Sequence, residues 1–368
     1  MHHTSQQLNL FDTFVRMTKV DFIIVGCGLA GIAFCEELRK DGRSFMVFDD
    51  ASQQSSKVAG GLYNPVVLKR FSAAWKANTL IEFALPYYYE IENYLQVKLV
   101  HETSILRIFN STEEQNNWFA ASDKPDLQKF LDDKIHQNSN PNVNAKYGMG
   151  LVLNTGRIDT TVLVNSYFEY LEKKGEFNND SFEYDALLVE NDFVRYKNLQ
   201  AEHVVFTEGF GLKHNPYFNY LPLIGSKGEY IMVKAPELRL DHILKGSIFI
   251  IPIKKDEYLV GATYDNVDKT DLPTEHKKDE LMTKLRKMIN CEFEVVDHIT
   301  GIRPTVKDRR PLVGRHPKYN NLFVLNGLGT RGIMASPYIA NLLFDHIEHN
   351  IGIESEIDVK RYESLFIS

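Results

Sequence analysis

Three glycines and a carboxylate near the start of the chain have the spacing of a phosphate-binding unit. Gly26-Cys27-Gly28-Leu29-Ala30-Gly31 follows the apolar run Asp21-Phe22-Ile23-Ile24-Val25 and precedes a segment with helical apolar spacing (Ile32, Cys35, Leu38). A second apolar run, Phe45-Met46-Val47-Phe48, ends on Asp49 and Asp50. The order strand, glycine turn, helix, strand, acid is that of a dinucleotide site. Gly26 permits the tight turn, Gly28 lets the N–H groups of the loop, Leu29 and Ala30 included, approach a pyrophosphate, and Gly31 lets the helix lie close on the strand. The helix N-terminus adds its partial positive charge. Asp49, 18 positions after Gly31, can accept the hydrogen bonds of a ribose diol, with Asp50 as its neighbour. The motif by itself does not separate FAD from NAD.

Next come small and hydroxylated residues: Gln54, Ser55, Ser56, Val58, Ala59, Gly60, Gly61 and Leu62. Such a stretch suits backbone pressed against a ligand, and it suits a plain surface loop equally well.

Composition bounds the rest. The 368 residues suffice for two domains, and 43% hydrophobic with 25% charged content is that of a globular protein. The net charge of −7 argues against a general nucleic-acid binder. Three cysteines at irregular spacing make neither a disulfide framework nor a metal cluster, which fits a reducing compartment. No apolar stretch reaches the ~18 residues of a spanning helix, and residues 1–16 lack a signal pattern. Residues 1–16 are expected to be a disordered or artefactual extension, and the protein is expected in the cytoplasm.

Along the chain, residues 73–97 read as an aromatic-rich helix kinked or divided at Pro86, and 99–109 as a strand. Ser111-Thr112 with Gln115 predicts a capping box, and 124–147 a short helix (Leu127, Phe130, Leu131) and a loop. Asp159 or Thr160 caps the next helix. The run 202–209 is a buried strand entering a glycine turn, so the nucleotide-binding pattern resumes there and the first domain is interrupted by the second. Short β-rich runs at 229–233, 247–253 and 257–263 predict an antiparallel sheet, followed by an amphipathic helix over 275–290. Ser336 as N-cap with Pro337 at the first helical position opens a last helix.

Taken together, these residues resemble the D-amino-acid oxidase, glycine oxidase and sarcosine oxidase superfamily of FAD-dependent oxidoreductases, over roughly residues 18 to 350. The parts occur in the family's order: the glycine motif with Asp49, Ser55-Ser56 through Ala59-Gly60, Gly156-x-x-Asp159, the strand to Gly209, Gly228, Pro252 with Gly261-Ala262-Thr263, Gly301-x-Arg303-Pro304, Asp308-x-x-Pro311-Leu312-x-Gly314, and Gly327-Leu328-Gly329-Thr330-Arg331-Gly332. The resemblance implies an α/β fold, a Rossmann-like FAD-binding domain (17–75, 150–220 and 301–368) interrupted by a smaller antiparallel-sheet α+β substrate domain (76–149 and 221–300). It implies non-covalent FAD, with Gly301, Gly327, Gly329, Thr330, Arg331, Gly332 and Ile333 joining the residues above at the cofactor, the last loop meeting the flavin pyrimidine.

The same resemblance implies oxidation of the C–N bond of a small amino acid or N-substituted glycine. Arg303 pairs bidentately with the substrate carboxylate, a hydride passes from the α-carbon to the flavin, and the imine hydrolyses. Arg331 is a second cation at the flavin edge, and Tyr63, Phe249 and Tyr264 are candidates to line the substrate pocket. Three departures stand out. Glu208 puts a carboxylate near the cofactor, Phe249 replaces a substrate-touching tyrosine, and Leu259 replaces an oxygen-activating lysine, so the electron acceptor is oxygen or another carrier. The C-terminal loop is also similar to the oxidoreductase half of the bifunctional enzyme that trims carboxymethylaminomethyl-uridine in tRNA. A tRNA-directed oxidation, marked by a basic surface from Lys254, Lys255, Arg309, Arg310 and Arg315, is therefore one alternative. A flavin-binding protein without catalysis is the other.

Overall fold

The computed structural model describes residues 17–366. Its organising layer is a mixed sheet of eight strands with a parallel centre, in which Thr18–Val25 lies between Phe45–Phe48 and Leu199–Phe206. Phe177–Asn178 extends one side, and Leu322–Asn326 pairs with Leu199–Phe206 on the other. Phe22, Ile23 and Ile24 are fully buried, as continuous apolar runs must be when both faces of a sheet are covered. One face carries α1 (Leu29–Asp41), α2 (Ala77–Leu95), α4 (Thr160–Lys174) and α6 (Gly332–His349) in one apolar cluster. Cys27 and Cys35 are fully buried within it. Phe48, Tyr196, Phe206 and Phe218 lead a second cluster on the other face.

The second layer is a mostly antiparallel sheet of eight strands. In spatial order it runs Glu294–Arg303, Ser226–Lys234, Glu257–Gly261, Phe249–Lys254, Ile243–Lys245, Ile105–Ile108, Met149–Val152 and Leu131–His136. Helix α5 (Glu275–Arg286) buries Leu281 and Leu285 against one face. The other face meets Leu62, Val66, Leu68 and Phe71 from the first unit, with Trp118 of α3 (Thr112–Ser122). Between the two units, Gly156–Ile158 pairs with Leu62–Tyr63 and Val100–Glu102. The architecture is the expected two-unit α/β arrangement.

Several local expectations are corrected. The stretch 99–109 is two strands, Val100–Glu102 and Ile105–Ile108, because the chain changes sheets at Thr103-Ser104. Among the described residues Leu131–His136 is an edge strand paired only with Met149–Val152, and its polar Asp132, Asp133 and Lys134 hide it from an apolar-pattern reading. Ser111 does cap α3, but its partner is Glu114, while Gln115 donates to the Tyr147 carbonyl. Pro86 lies inside one continuous helix. The exchanges between units also fall elsewhere than at 75/76, 149/150 and 300/301: α2 packs with α1 and α6, Met149–Val152 belongs to the second sheet, and Glu294–Arg303 crosses the last boundary. The expected extension 1–16 lies outside the described residues.

The largest correction concerns α6, which starts at Gly332 and contains Ser336 and Pro337 in its interior. Proline lacks the N–H that would bond to the carbonyl four residues earlier, here Ile333. That carbonyl is served instead by the hydroxyl of Tyr88, at 2.9 Å and fully buried, reaching across from α2. Tyr88→Phe is therefore expected to cost about 1–3 kcal/mol, the penalty of an orphaned buried carbonyl. In a Pro337→Ala background the same change is expected to cost markedly less, since residue 337 then supplies its own N–H. Urea unfolding of the four proteins checks this, and identical costs in both backgrounds would sink the coupling.

Candidate functional site

Val25, Phe48, Phe206 and Val324 lie side by side at the carboxyl ends of four parallel strands. Ligands of open α/β sheets bind outside such ends, and here the chain leaves the strands through Gly26, Asp49, Thr207 and Asn326-Gly327. Gly26 has φ +94°, and a Cβ there would stand 2.8 Å from the Thr207 carbonyl. A Cβ on Gly31 would collide with the Gly26 carbonyl, so α1 crosses the strand end closely.

Two helix N-termini meet at this place, Gly332 of α6 standing against Leu29 of α1. Gly28 and Arg331 occupy their N-cap positions, and neither makes a side-chain cap bond, which leaves first-turn N–H groups for an outside acceptor. Ser56 Oγ accepts from Leu29 N at 3.1 Å and draws the 54–58 turn over the α1 terminus. That turn is closed by Val58 N to the Gln54 carbonyl at 3.1 Å. Thr161 and Thr160 of α4 then hold the carbonyls of Lys57 and Ala59. Gly61 and Leu62 continue along Gly156–Ile158.

Asp49 accepts from the N–H of Cys27 and, at 2.7 Å, of Ala51. Burial pushes its carboxyl up, against the downward pull of those two N–H groups. Asp50 faces Ser181 and Ser52 instead. Glu208 accepts from Tyr184 and, at 2.7 Å, from Asn215, and burial pushes it up to about 7. Gly209 is linked to the C-terminal loop through Asn326, whose amide donates to the Gly209 carbonyl at 2.9 Å and whose Oδ1 accepts from Gly327 N. Gly329 donates to the Pro304 carbonyl at 2.9 Å, and Thr330 and Arg331 follow in the turn that opens α6, ahead of buried Ile333. Two helix termini whose N-cap residues make no side-chain cap bond, a glycine loop and a partly buried acid at the second strand end form a donor and acceptor set that fits a dinucleotide.

The second sheet is pressed onto this assembly. Gly301 lies so close to the 54–58 turn that a Cβ would stand 2.5 Å from Val58 Cγ2 and 3.1 Å from Ser55 Cα. Two residues on, Arg303 turns its guanidinium over Gly228, where any side chain would collide with it. Its Nη1 donates to the Thr263 carbonyl at a long 3.4 Å, and its Cζ lies 4.8 Å from the centre of the Tyr264 ring, which is 65% exposed. Arg331 Nη1 donates to the Asn64 carbonyl at 2.8 Å, and burial pulls its guanidinium down. Neither arginine has a carboxylate partner among the described residues.

Phe249 is partly buried beneath Lys245 Nζ, at 4.7 Å. Tyr63, expected in the substrate pocket, is corrected: it is 2% exposed and its ring packs against Gly156 in the core. The sequence reading named Gly228 as a motif element without its role of seating Arg303, and it missed Asn64 and Asn326, which hold Arg331 and join two loops. Gly228 lies opposite Gly301 on the neighbouring strand. Behind Arg303, the fully buried Lys227 pins the loop after Tyr264, donating to Asp268 at 2.6 Å, Thr270 and the Leu272 carbonyl.

The DAO family, described as FAD dependent oxidoreductase, matches residues 21–346, and the chain belongs to it. The chain is 24% identical to the glycine oxidase of Bacillus subtilis (strain 168) across 88% of its own length and 92% of that protein. It is 23% identical to the tRNA 5-methylaminomethyl-2-thiouridine biosynthesis bifunctional protein MnmC of Marinobacter nauticus, covering 88% of the chain but 55% of that protein. The glycine oxidase structure from Geobacillus kaustophilus superposes with a TM-score of 0.77 at 20% identity, covering 94% of this chain and 98% of that one. The protein is an FAD-dependent oxidoreductase. Among the described residues no helix is long and apolar enough to cross a membrane.

Asp49→Ala is expected to weaken FAD binding about tenfold or more, since charge-assisted hydrogen bonds contribute roughly 1.5–3 kcal/mol each. Titration of the flavin-stripped protein with FAD measures it, and an unchanged affinity would remove Asp49 from the site.

Proposed function

We propose that this protein oxidises the C–N bond of a small amino acid or N-substituted glycine, with Arg303 holding the substrate carboxylate. The observation that carries this reading is the guanidinium of Arg303 over Gly228, with one long bond to Thr263 and no carboxylate partner among the described residues. A guanidinium carries five N–H donors in a planar fork, so four are left for a ligand, and a carboxylate matches two of them at once. The similarity to glycine oxidases over most of both chains supports the same substrate class.

Gly26 to Gly31, Asp49, the 54–62 segment, Gly209, Gly301 and the 327–333 loop are the residues proposed to hold FAD. When bound, FAD supplies the hydride acceptor. The chain's own part is to strip water from the carboxylate, fix it on Arg303 and so orient the α-carbon, with Arg331 adding positive charge beside it through the Gly329–Pro304 contact. Tyr264 closes the outer side of Arg303, and its ring face favours the cation.

The tRNA reading draws less support. Lys254 and Arg310 are engaged by Glu257 at 3.1 Å and Glu356 at 2.7 Å, and phosphate binding needs free cations. The chain also spans about half of the bifunctional relative.

Arg303→Leu is expected to retain FAD and lose about two to four decades in the second-order rate of flavin reduction, from roughly 3–5 kcal/mol of unpaired carboxylate. Arg303→Lys should recover only part of this loss. Anaerobic stopped-flow reduction with glycine, sarcosine and a panel of small amino acids tests it. Wild-type reduction rates in Arg303→Leu would move the anchor to Arg331. A wild type that nothing in the panel reduces would favour a flavin-binding protein without catalysis.

A further inference from the structure

The register of the second sheet brings one more polar group to the site. Tyr230 pairs with Gly261 and Ile299, and Gly261 pairs with Phe249. Phe249, Gly261, Tyr230 and Ile299 therefore form one row across four strands, with their side chains on a single face. Gly228 and Gly301 form the adjacent row on that face, and the guanidinium of Arg303 lies over Gly228.

Gly261 is what lets Tyr230 reach inward. A Cβ at 261 would collide with Cδ1 of the Tyr230 ring, so the phenol lies across the glycine. Its hydroxyl ends 3.2 Å from where a Cβ of Gly60 would stand, in the segment proposed to border the flavin. Tyr230 is partly buried, and among the described residues its hydroxyl makes no hydrogen bond and is not sealed into the core. A phenylalanine would fill the same apolar surroundings; the tyrosine adds a hydroxyl that is open to a ligand.

Rows on one strand face are about 6–7 Å apart. An amino acid with its carboxylate on one row and its amine hydrogen-bonded to the next spans a comparable length. We infer that Tyr230 is a substrate-contacting residue whose hydroxyl accepts a hydrogen bond from the substrate amine while Arg303 holds the carboxylate. The inference rests on the proposed function. It makes Tyr230 the group that recognises an N–H, where Arg303 recognises only an acid, and the two together fix rotation about the axis of the substrate. Phe249, in the same row, supplies apolar wall alone.

The test uses FAD-loaded wild type and Tyr230→Phe, with glycine and sarcosine as amine probes and acetate as a carboxylate without an amine. Flavin absorbance reads the dissociation constant of acetate, and anaerobic reduction reads the amines. Tyr230→Phe is expected to keep the wild-type flavin spectrum and melting temperature, lose about tenfold in second-order reduction by the amines, and hold the acetate constant within twofold. Equal losses for amines and acetate, or a shifted flavin spectrum, would make Tyr230 a wall of the cavity and overturn the inference. An undiminished rate with the amines would overturn it as well. If neither glycine nor sarcosine reduces the wild type while acetate still perturbs its flavin, the amine-oxidation reading fails first and the inference fails with it.

Discussion

The contact between Gly301 and the 54–58 turn is the constraint on which the rest of this structure depends. The two units approach closely there, because a Cβ on Gly301 would run into the Val58 side chain and the Ser55 backbone. The turn itself is fixed to the α1 terminus by Ser56 and to α4 by Thr160 and Thr161. A strand from one sheet is thereby registered against the loops at the carboxyl ends of the other. Arg303, two residues along that strand, inherits its position from this contact.

The same device recurs at each element of the site. Gly31 lets α1 close onto its strand, Gly228 leaves room for a guanidinium and Gly261 leaves room for a phenol. Placement by omission differs from placement by packing: large side chains fill the clusters, whereas the site is outlined by side chains that are missing. Interiors are close-packed, so the space vacated by one residue is taken by a specified neighbour, which sets the direction of Arg303 and Tyr230 with no polar tether beyond one long bond from Arg303 to the Thr263 carbonyl.

Much of this was legible in the sequence, for a physical reason. Gly26-x-Gly28-x-x-Gly31 and Asp49 are contiguous, and local backbone demands dictate residue type directly, so the first β-α-β unit reads off the chain. Arg303 was visible through its motif. What stayed hidden depends on pairs of residues far apart in sequence. Pro337 reads as a helix start until Tyr88, nearly 250 positions away, is seen serving the Ile333 carbonyl. Tyr63 reads as a pocket residue until Gly156 is found against its ring. The strand Leu131–His136 stayed hidden because an edge strand shares only one side with a partner and tolerates the charges that mask it.

Lys227 gives the molecule a further property. It is fully buried behind Arg303, and three bonds from its ammonium gather Asp268, Thr270 and Leu272, so the exposed loop after Tyr264 is tethered from beneath. Exposed loops commonly sample many conformers and give up that freedom when a ligand arrives. Here the freedom is surrendered on folding, through a charge sealed inside the sheet. A ligand captured beside Arg303, as proposed, would then draw little on conformational entropy, so that small molecules with few contacts to offer could still be held.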